Sequence, residues 1–145
     1  MKFMTDHKLF LIDTNLLIYA YEKEHSIKKK KAQELIESCL RGKIKLAVSN
    51  QNLAEFAHVV TKKGKLTFEQ ANASLYDILN FDGFIKLNYS ADTVLLAAEI
   101  AGEHKMSFWD SLIAATMKEN NIFNIYTENI KDFKIPWLNP VNPIK

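Results

Sequence analysis

The feature that most constrains this chain is the regular alternation of short apolar runs with longer amphipathic ones. Leu9-Phe10-Leu11-Ile12 is a continuous apolar tetrad, as expected of a strand covered on both faces. Asp13-Thr14-Asn15 follows, three residue types that start helices, and then Leu16-Leu17-Ile18-Tyr19. A second helix is expected from Ser26 to about Arg41. Its apolar residues Ala32, Leu35, Ile36, Cys39 and Leu40 fall on one helical face, and Gly42 stops it. Residues 44–48 read as a strand. Ser49 or Asn50 opens a helix that Gly64 closes, and Thr67 caps another to about Asn80, with Phe68, Ala71, Leu75, Ile78 and Leu79 as its apolar stripe. Strands are expected at 84–87 and 123–126, with a short fifth near Ile135-Pro136-Trp137. Between them Ser90 and Ser107 open two more helices. Strands alternating with helices from end to end predict an α/β fold. The expected form is a three-layer α/β/α sandwich with a mostly parallel central sheet of four to five strands.

Composition narrows the class. The 145 residues fit one domain, spanning 1–145. With 48% hydrophobic and 25% charged residues, and only 4 Gly and 3 Pro, a disordered or collagen-like chain is excluded. A single cysteine, Cys39, excludes an internal disulfide framework. The formal net charge of +2 permits nucleic-acid binding without the heavy basic coat of a non-specific DNA binder. No apolar stretch approaches the ~20 residues of a membrane span. The first eight residues carry charges where a leader would carry its apolar run, so a cytoplasmic address is expected.

The informative carboxylates lie at element ends. Asp13 follows the first strand directly, and in open α/β sheets ligands bind outside the carboxyl ends of strands. Capping of the next helix is the competing role. Glu55 sits opposite the apolar face formed by Leu53, Phe56, Ala57 and Val60, so periodicity alone makes it a solvated residue. Asp110 shares the inward stripe of its helix with Ile113, Ala114 and Met117. There a carboxylate is costly unless hydrogen-bonded or bound to a cation. A capping pair with Ser107 also accounts for it. Glu128 and Asp132 follow the fourth strand, at a second carboxyl end. Together these residues suggest an acidic cluster at one rim of the sheet. A hard divalent cation relieves the repulsion within such a cluster and takes oxygen ligands. Mg²⁺ or Mn²⁺ there can hold a phosphate and acidify a bound water.

These residues fall in four blocks: Leu11-Ile12-Asp13-Thr14-Asn15; Ser49-x-Gln51-x-Leu53-x-Glu55; Phe108-Trp109-Asp110-Ser111-Leu112-Ile113-Ala114-Ala115; and Thr127-Glu128-Asn129-x-x-Asp132-Phe133. In content and order they resemble the PIN-domain ribonucleases, particularly the small toxins of the VapC type, over nearly the whole chain. The resemblance implies that Asp13, Glu55 and Asp110 are the first three acids and bind the metal. The fourth acidic role falls to Glu128 or Asp132, because many members carry Asp where this chain has Asn129. It implies a Mg²⁺- or Mn²⁺-dependent endoribonuclease acting on RNA. It also implies a homodimer held inactive by a cognate antitoxin protein. Asn15 and Thr127 become candidates for hydrogen bonds that orient the carboxylates, alongside their roles as helix-start and turn residues.

Two other classes stand beside this reading. One is a non-catalytic PIN-like RNA-binding module, which the acids at all four blocks disfavour. The other is a phosphoaspartyl phosphatase using Asp13, disfavoured by Asp13-Thr14-Asn15 where such enzymes begin Asp-x-Asp. Dinucleotide binding lacks its Gly-x-Gly-x-x-Gly. The four histidines form no spaced zinc-ligand pair, and Cys39 reads as core. Trp109 and Trp137 can stack on bases, although core or dimer packing is the simpler expectation.

Overall fold

The computed structural model describes residues 8–145. The amino-terminal stretch that argued against a leader lies almost wholly outside the described residues. The elements in chain order are β1 (Leu9–Ile12), α1 (Thr14–Tyr21), α2 (Ile27–Leu40), β2 (Lys45–Ser49), α3 (Asn50–Lys62), α4 (Phe68–Asn80), β3 (Phe84–Leu87), α5 (Ala91–His104), α6 (Phe108–Glu119), β4 (Asn124–Tyr126) and β5 (Asn139–Val141). A 3₁₀ turn, Ile130–Phe133, lies between the last two strands.

Local chemistry sets the helix boundaries. The side chains of Ser26, Ser49, Thr67 and Ser107 each accept a hydrogen bond from the backbone N–H three residues on. Each thus satisfies an N–H that has no partner within its helix. Gly42 and Gly64, just past α2 and α3, adopt φ of +74° and +64°. That left-handed turn favours glycine.

All five strands are parallel, in the order β3-β2-β1-β4-β5. The chain steps outward from β1 to β2 to β3, then returns to lay β4 on the other side of β1. The strand order therefore reverses beside β1, which makes its carboxyl end the topological switch point. Alternation along the strands divides the core. Ile12, Leu46, Val48 and Phe84 pack under α1 to α4, whereas Leu11, Ala47, Leu87 and Ile125 pack under α5 and α6. Helices on both faces give the expected α/β/α sandwich.

Three expectations are corrected. The fifth strand lies at Asn139–Val141 rather than near Ile135-Pro136-Trp137. Pro140, which has no N–H to donate, is tolerated there because β5 is an edge strand. Phe68 and Leu79 are exposed. α4 buries only Ala71 and Ile78, so its inward stripe is narrower than its apolar content suggested. Trp109 is 61% exposed and is not a core residue, whereas Cys39 is buried as expected. Among the described residues no helix is long and apolar enough to cross a membrane.

Leu46 on β2 is fully buried between the sheet and the α1–α4 layer. Leu46→Ala should cost about 2–5 kcal/mol, read as a lower urea midpoint at unchanged slope.

Candidate active site

The rim of the sheet at the β1–β4 seam holds a pit of about 360 Å³. Its walls carry Asp13, Glu55, Asp110 and Asp132, delivered respectively by the end of β1, by α3, by the first turn of α6 and by the 3₁₀ turn. Asn15, His58 and Asn129 also line it, with Ile18, Val59 and Ile113 as apolar wall. No Lys or Arg is among the described residues that line it.

Asp13 is fixed most firmly. Its backbone N–H donates to the Tyr126 carbonyl at 2.9 Å, extending the β1–β4 pairing by one rung. Its Oδ1 accepts from the Thr14 N–H at 2.9 Å, and its Oδ2 accepts from the Thr127 hydroxyl at 2.8 Å. The capping role and the rim position foreseen for Asp13 are thus both realised. The Thr127 hydroxyl in turn accepts from the Asn129 N–H at 3.0 Å, tying the loop after β4 to the same carboxylate. Burial pushes the Asp13 carboxyl up to about 6. The Thr127 and Thr14 hydrogen bonds oppose the rise, and the charges of Asp110 and Glu55 add to it.

Asp110 is half-buried. Burial raises its pKa, the Ser107 hydrogen bond opposes, and the charges of Asp132 and Glu55 add to the rise. The Ser107 hydroxyl donates to Asp110 Oδ2 at 2.9 Å and accepts from the Asp110 N–H at 3.1 Å. The capping pair is therefore present, closed through the serine hydroxyl. Among the described residues Asp110 Oδ1 receives no hydrogen bond, which leaves it available to the pit.

Glu55 departs from its periodicity. It is half-buried, and its Oε1 accepts from the Thr14 hydroxyl at 2.8 Å. Thr14 accepts in turn from Asn52 Nδ2 at 3.0 Å, and Asn52 Oδ1 closes the capping box of α3. α3 is enclosed on two sides, with Phe56 and Val60 against the core and Glu55 toward the pit. A single hydrophobic stripe does not reveal that second contact. Thr14, Asn52 and His58 were not singled out from the sequence. The Ser49-x-x-Asn52 box was the available signal for Asn52.

The two candidates for the fourth acid are separated. Asp132 lines the pit, whereas Glu128 accepts from the Tyr19 hydroxyl at 2.6 Å and pairs with Lys28. Those partners hold the Glu128 carboxyl below its usual range. Glu128 thus fastens the loop after β4 to α1 and α2 and does not line the pit. Asn15 stands exposed on the pit wall, and Thr127 is buried beneath Asp13.

The donor set fits a hard divalent cation in kind: oxygen ligands, like charges needing compensation, and no competing basic side chain. Among the described residues no three His, Cys, Asp or Glu side chains stand in a geometry that would hold one ion as they are. The fit therefore lies in donor chemistry and shared location. A parallel α/β sheet with several carboxylates gathered at its switch point defines a class of proteins suited to cations and phosphates.

The comparisons narrow that class. The PIN domain family model matches residues 10–134, most of the chain, and the chain belongs to that family. No curated protein sequence matches it. Among solved structures, the chain is similar to VapBC2 from Rickettsia felis bound to a promoter DNA fragment, at 25% identity and TM-score 0.69, covering 92% of this chain and 98% of that one. A toxin–antitoxin complex from Klebsiella pneumoniae aligns at 24% identity and TM-score 0.65, covering 92% and 97%. VapC20 of Mycobacterium tuberculosis, a toxin that cleaves the sarcin–ricin loop, aligns at 20% identity and TM-score 0.65, covering 81% and 88%. The fold is that of these structures.

The raised pKa of Asp13 has a consequence for stability. The folded state favours the protonated carboxyl, so its contribution is fully present below the unfolded pKa of about 3.9. That contribution is lost as pH rises through about 6. Metal-free protein should lose about 3 kcal/mol from this group between those limits. Asp13→Asn should therefore raise the melting temperature at pH 7.5 in chelator and give no gain at pH 4, as calorimetry at the two pH values will show.

Proposed function

We propose that this chain is a metal-dependent endoribonuclease that hydrolyses RNA phosphodiester bonds, the toxin of a toxin–antitoxin pair, with residues 1–145 acting as one nuclease domain. The observation that carries the reading is the shared pit of Asp13, Glu55, Asp110 and Asp132, without a basic residue among those described in its wall. Membership of the PIN family supports the nuclease class. The likeness to toxins and toxin–antitoxin complexes supports the biological role.

In this reading Asp13, Glu55 and Asp110 hold Mg²⁺ or Mn²⁺, and Asp132 rather than Glu128 is the fourth acid. The ion supplies charge neutralisation at a bound phosphate and acidifies water. The protein's own contribution is positional. Thr127 and the Thr14 N–H hold Asp13 from below, Thr14 and Asn52 orient Glu55, and Ser107 orients Asp110. Fixing ligand oxygens in this way is what outer hydrogen bonds do in metal sites. The apolar wall of Ile18, Val59 and Ile113 reduces competing water and strengthens each electrostatic contact in the pit. Asn15 and Asn129 offer neutral amides at the rim, able to contact phosphate oxygens without adding charge. The protein partner is a cognate antitoxin, and the working form a homodimer in the cytoplasm.

Two tests follow. Asp13→Asn and Asp110→Asn should each lower RNA cleavage by at least ~10²-fold with far-ultraviolet circular dichroism unchanged. Cleavage retained in both would reject the assignment. Asp132→Asn should reduce the rate more than Glu128→Gln, which should stay within roughly threefold of the parent in single-turnover assays. Separately, chelation should stop cleavage, and added Mg²⁺ or Mn²⁺ should restore it.

A further inference from the structure

A second hollow opens beside the pit, about 570 Å³ in volume, and shares Glu55 and His58 with it. Its remaining wall has a different chemistry. Trp109 stands 61% exposed on the first turn of α6, with Tyr89 half-buried in the same wall. Asn50 and Gln51 bring two amides from the start of α3. Trp109 immediately precedes Asp110, so the ring and the carboxylate share a helix turn.

The indole is held in place. Gln51 is 5% exposed, and its Nε2 donates to the Trp109 carbonyl at 3.0 Å, locking the start of α6 against α3. Phe108 packs edge-on to the indole at 5.3 Å between centroids. Leaving a large ring in water while fixing its backbone with a buried amide is unusual for mere packing. Among the described residues Gln51 Oε1 itself has no hydrogen-bond partner, so the lock is retained despite leaving a buried acceptor unsatisfied.

We propose that this hollow is a nucleobase subsite: it receives a base of single-stranded RNA flanking the phosphate in the pit, with Trp109 as stacking platform and the Asn50 amide facing the base edge. This rests on the nuclease reading of the pit and adds the substrate feature it selects, an unpaired, splayed base. Continuity with the pit is the argument for RNA as occupant, since a strand whose phosphate lies among the carboxylates has its adjacent base within reach of the shared Glu55–His58 wall. Aromatic rings and neutral amides suit a base, whereas the acidic pit alone would repel the strand's phosphates without a cation. Stacking tolerates any base, and the amide adds preference at its edge. Gln51 is a positioning residue that acts through Trp109.

The test uses the full chain with Mg²⁺ present and decamers of cleavage-resistant backbone, so that the charge of the pit is compensated and no strand is cut. Trp137→Phe leaves Trp109 as the sole tryptophan. Titration with a mixed-sequence RNA decamer should quench its fluorescence to saturation. An abasic decamer of equal length should bind at least ~5-fold more weakly and quench little. Trp109→Ala should weaken the RNA decamer by roughly 5- to 100-fold and leave the abasic one unaffected, with Trp109→Phe recovering most of the loss. Gln51→Ala should shift the emission of Trp109 and weaken the decamer without affecting the abasic strand. Equal affinity for the two decamers, or an unaltered Trp109→Ala, overturns the proposal. So does a Trp109→Ala chain that changes its sedimentation coefficient but not its RNA affinity, because the ring then covers a second copy. Failure of these tests with Asp13-dependent cleavage intact removes the subsite alone. Loss of Asp13 dependence with base-selective binding intact removes the nuclease reading instead.

Discussion

A carboxylate buried at the seam between two parallel strands is the constraint around which this molecule is arranged. Asp13 sits where β1 and β4 run out, with its N–H still in the sheet and its two oxygens each held by a neighbour. A charge in that setting is tolerated only through directed hydrogen bonds or a cation. The surrounding arrangement answers the first need without abolishing the second. Thr127 and the Thr14 N–H are each a single donor, too few to settle the charge, so the Asp13 carboxyl remains well above its ordinary range. Asp110 and Glu55 intensify the problem rather than relieve it.

The supporting framework is a chain of polar contacts linking elements remote in sequence. Asn52 closes the start of α3 and reaches Thr14 on α1, and Thr14 reaches Glu55 back on α3. Thr127, after β4, reaches Asp13 after β1. Glu128 completes the arrangement from outside, anchoring the same loop to Tyr19 and Lys28. Two adjacent residues, Thr127 and Glu128, therefore face opposite tasks: one aims a carboxylate, the other spends its own on fastening the loop.

Much of the fold was legible because local signals agreed. Ser26, Ser49, Thr67 and Ser107 announced helix starts, Gly42 and Gly64 announced ends, and the apolar tetrad before Asp13 announced a buried strand. The site was legible in part. Asp13 and Asp110 were readable as carboxylates in places that should be apolar or at a strand end. Glu55 was not, since a helix enclosed on two sides shows one stripe to periodicity analysis and hides the other contact. Its assignment came from the resemblance of its block. Which of Glu128 and Asp132 lines the pit depended on which way a loop folds, and that is set by Tyr19 and Lys28, 100 or more residues before Glu128 in the chain. β5 was misplaced because an edge strand of three residues containing proline carries almost no pattern. The core alternative for Trp109 failed because a large aromatic is ordinarily buried, and only its place at a helix start indicates otherwise.

The division of the core has a further implication, for heredity. Along β1, Leu11 leans into one layer and Ile12 into the other, and the very next residue enters the pit. Inserting or deleting one codon among these positions would exchange the two linings and aim residue 13 away from its companions at a stroke. Lengthening the exposed turn between α2 and β2 by the same amount would disturb neither. Tolerance of length variation in this chain should therefore be sharply polarised, with the first strand frozen in frame and the turns at the opposite rim of the sheet free to drift.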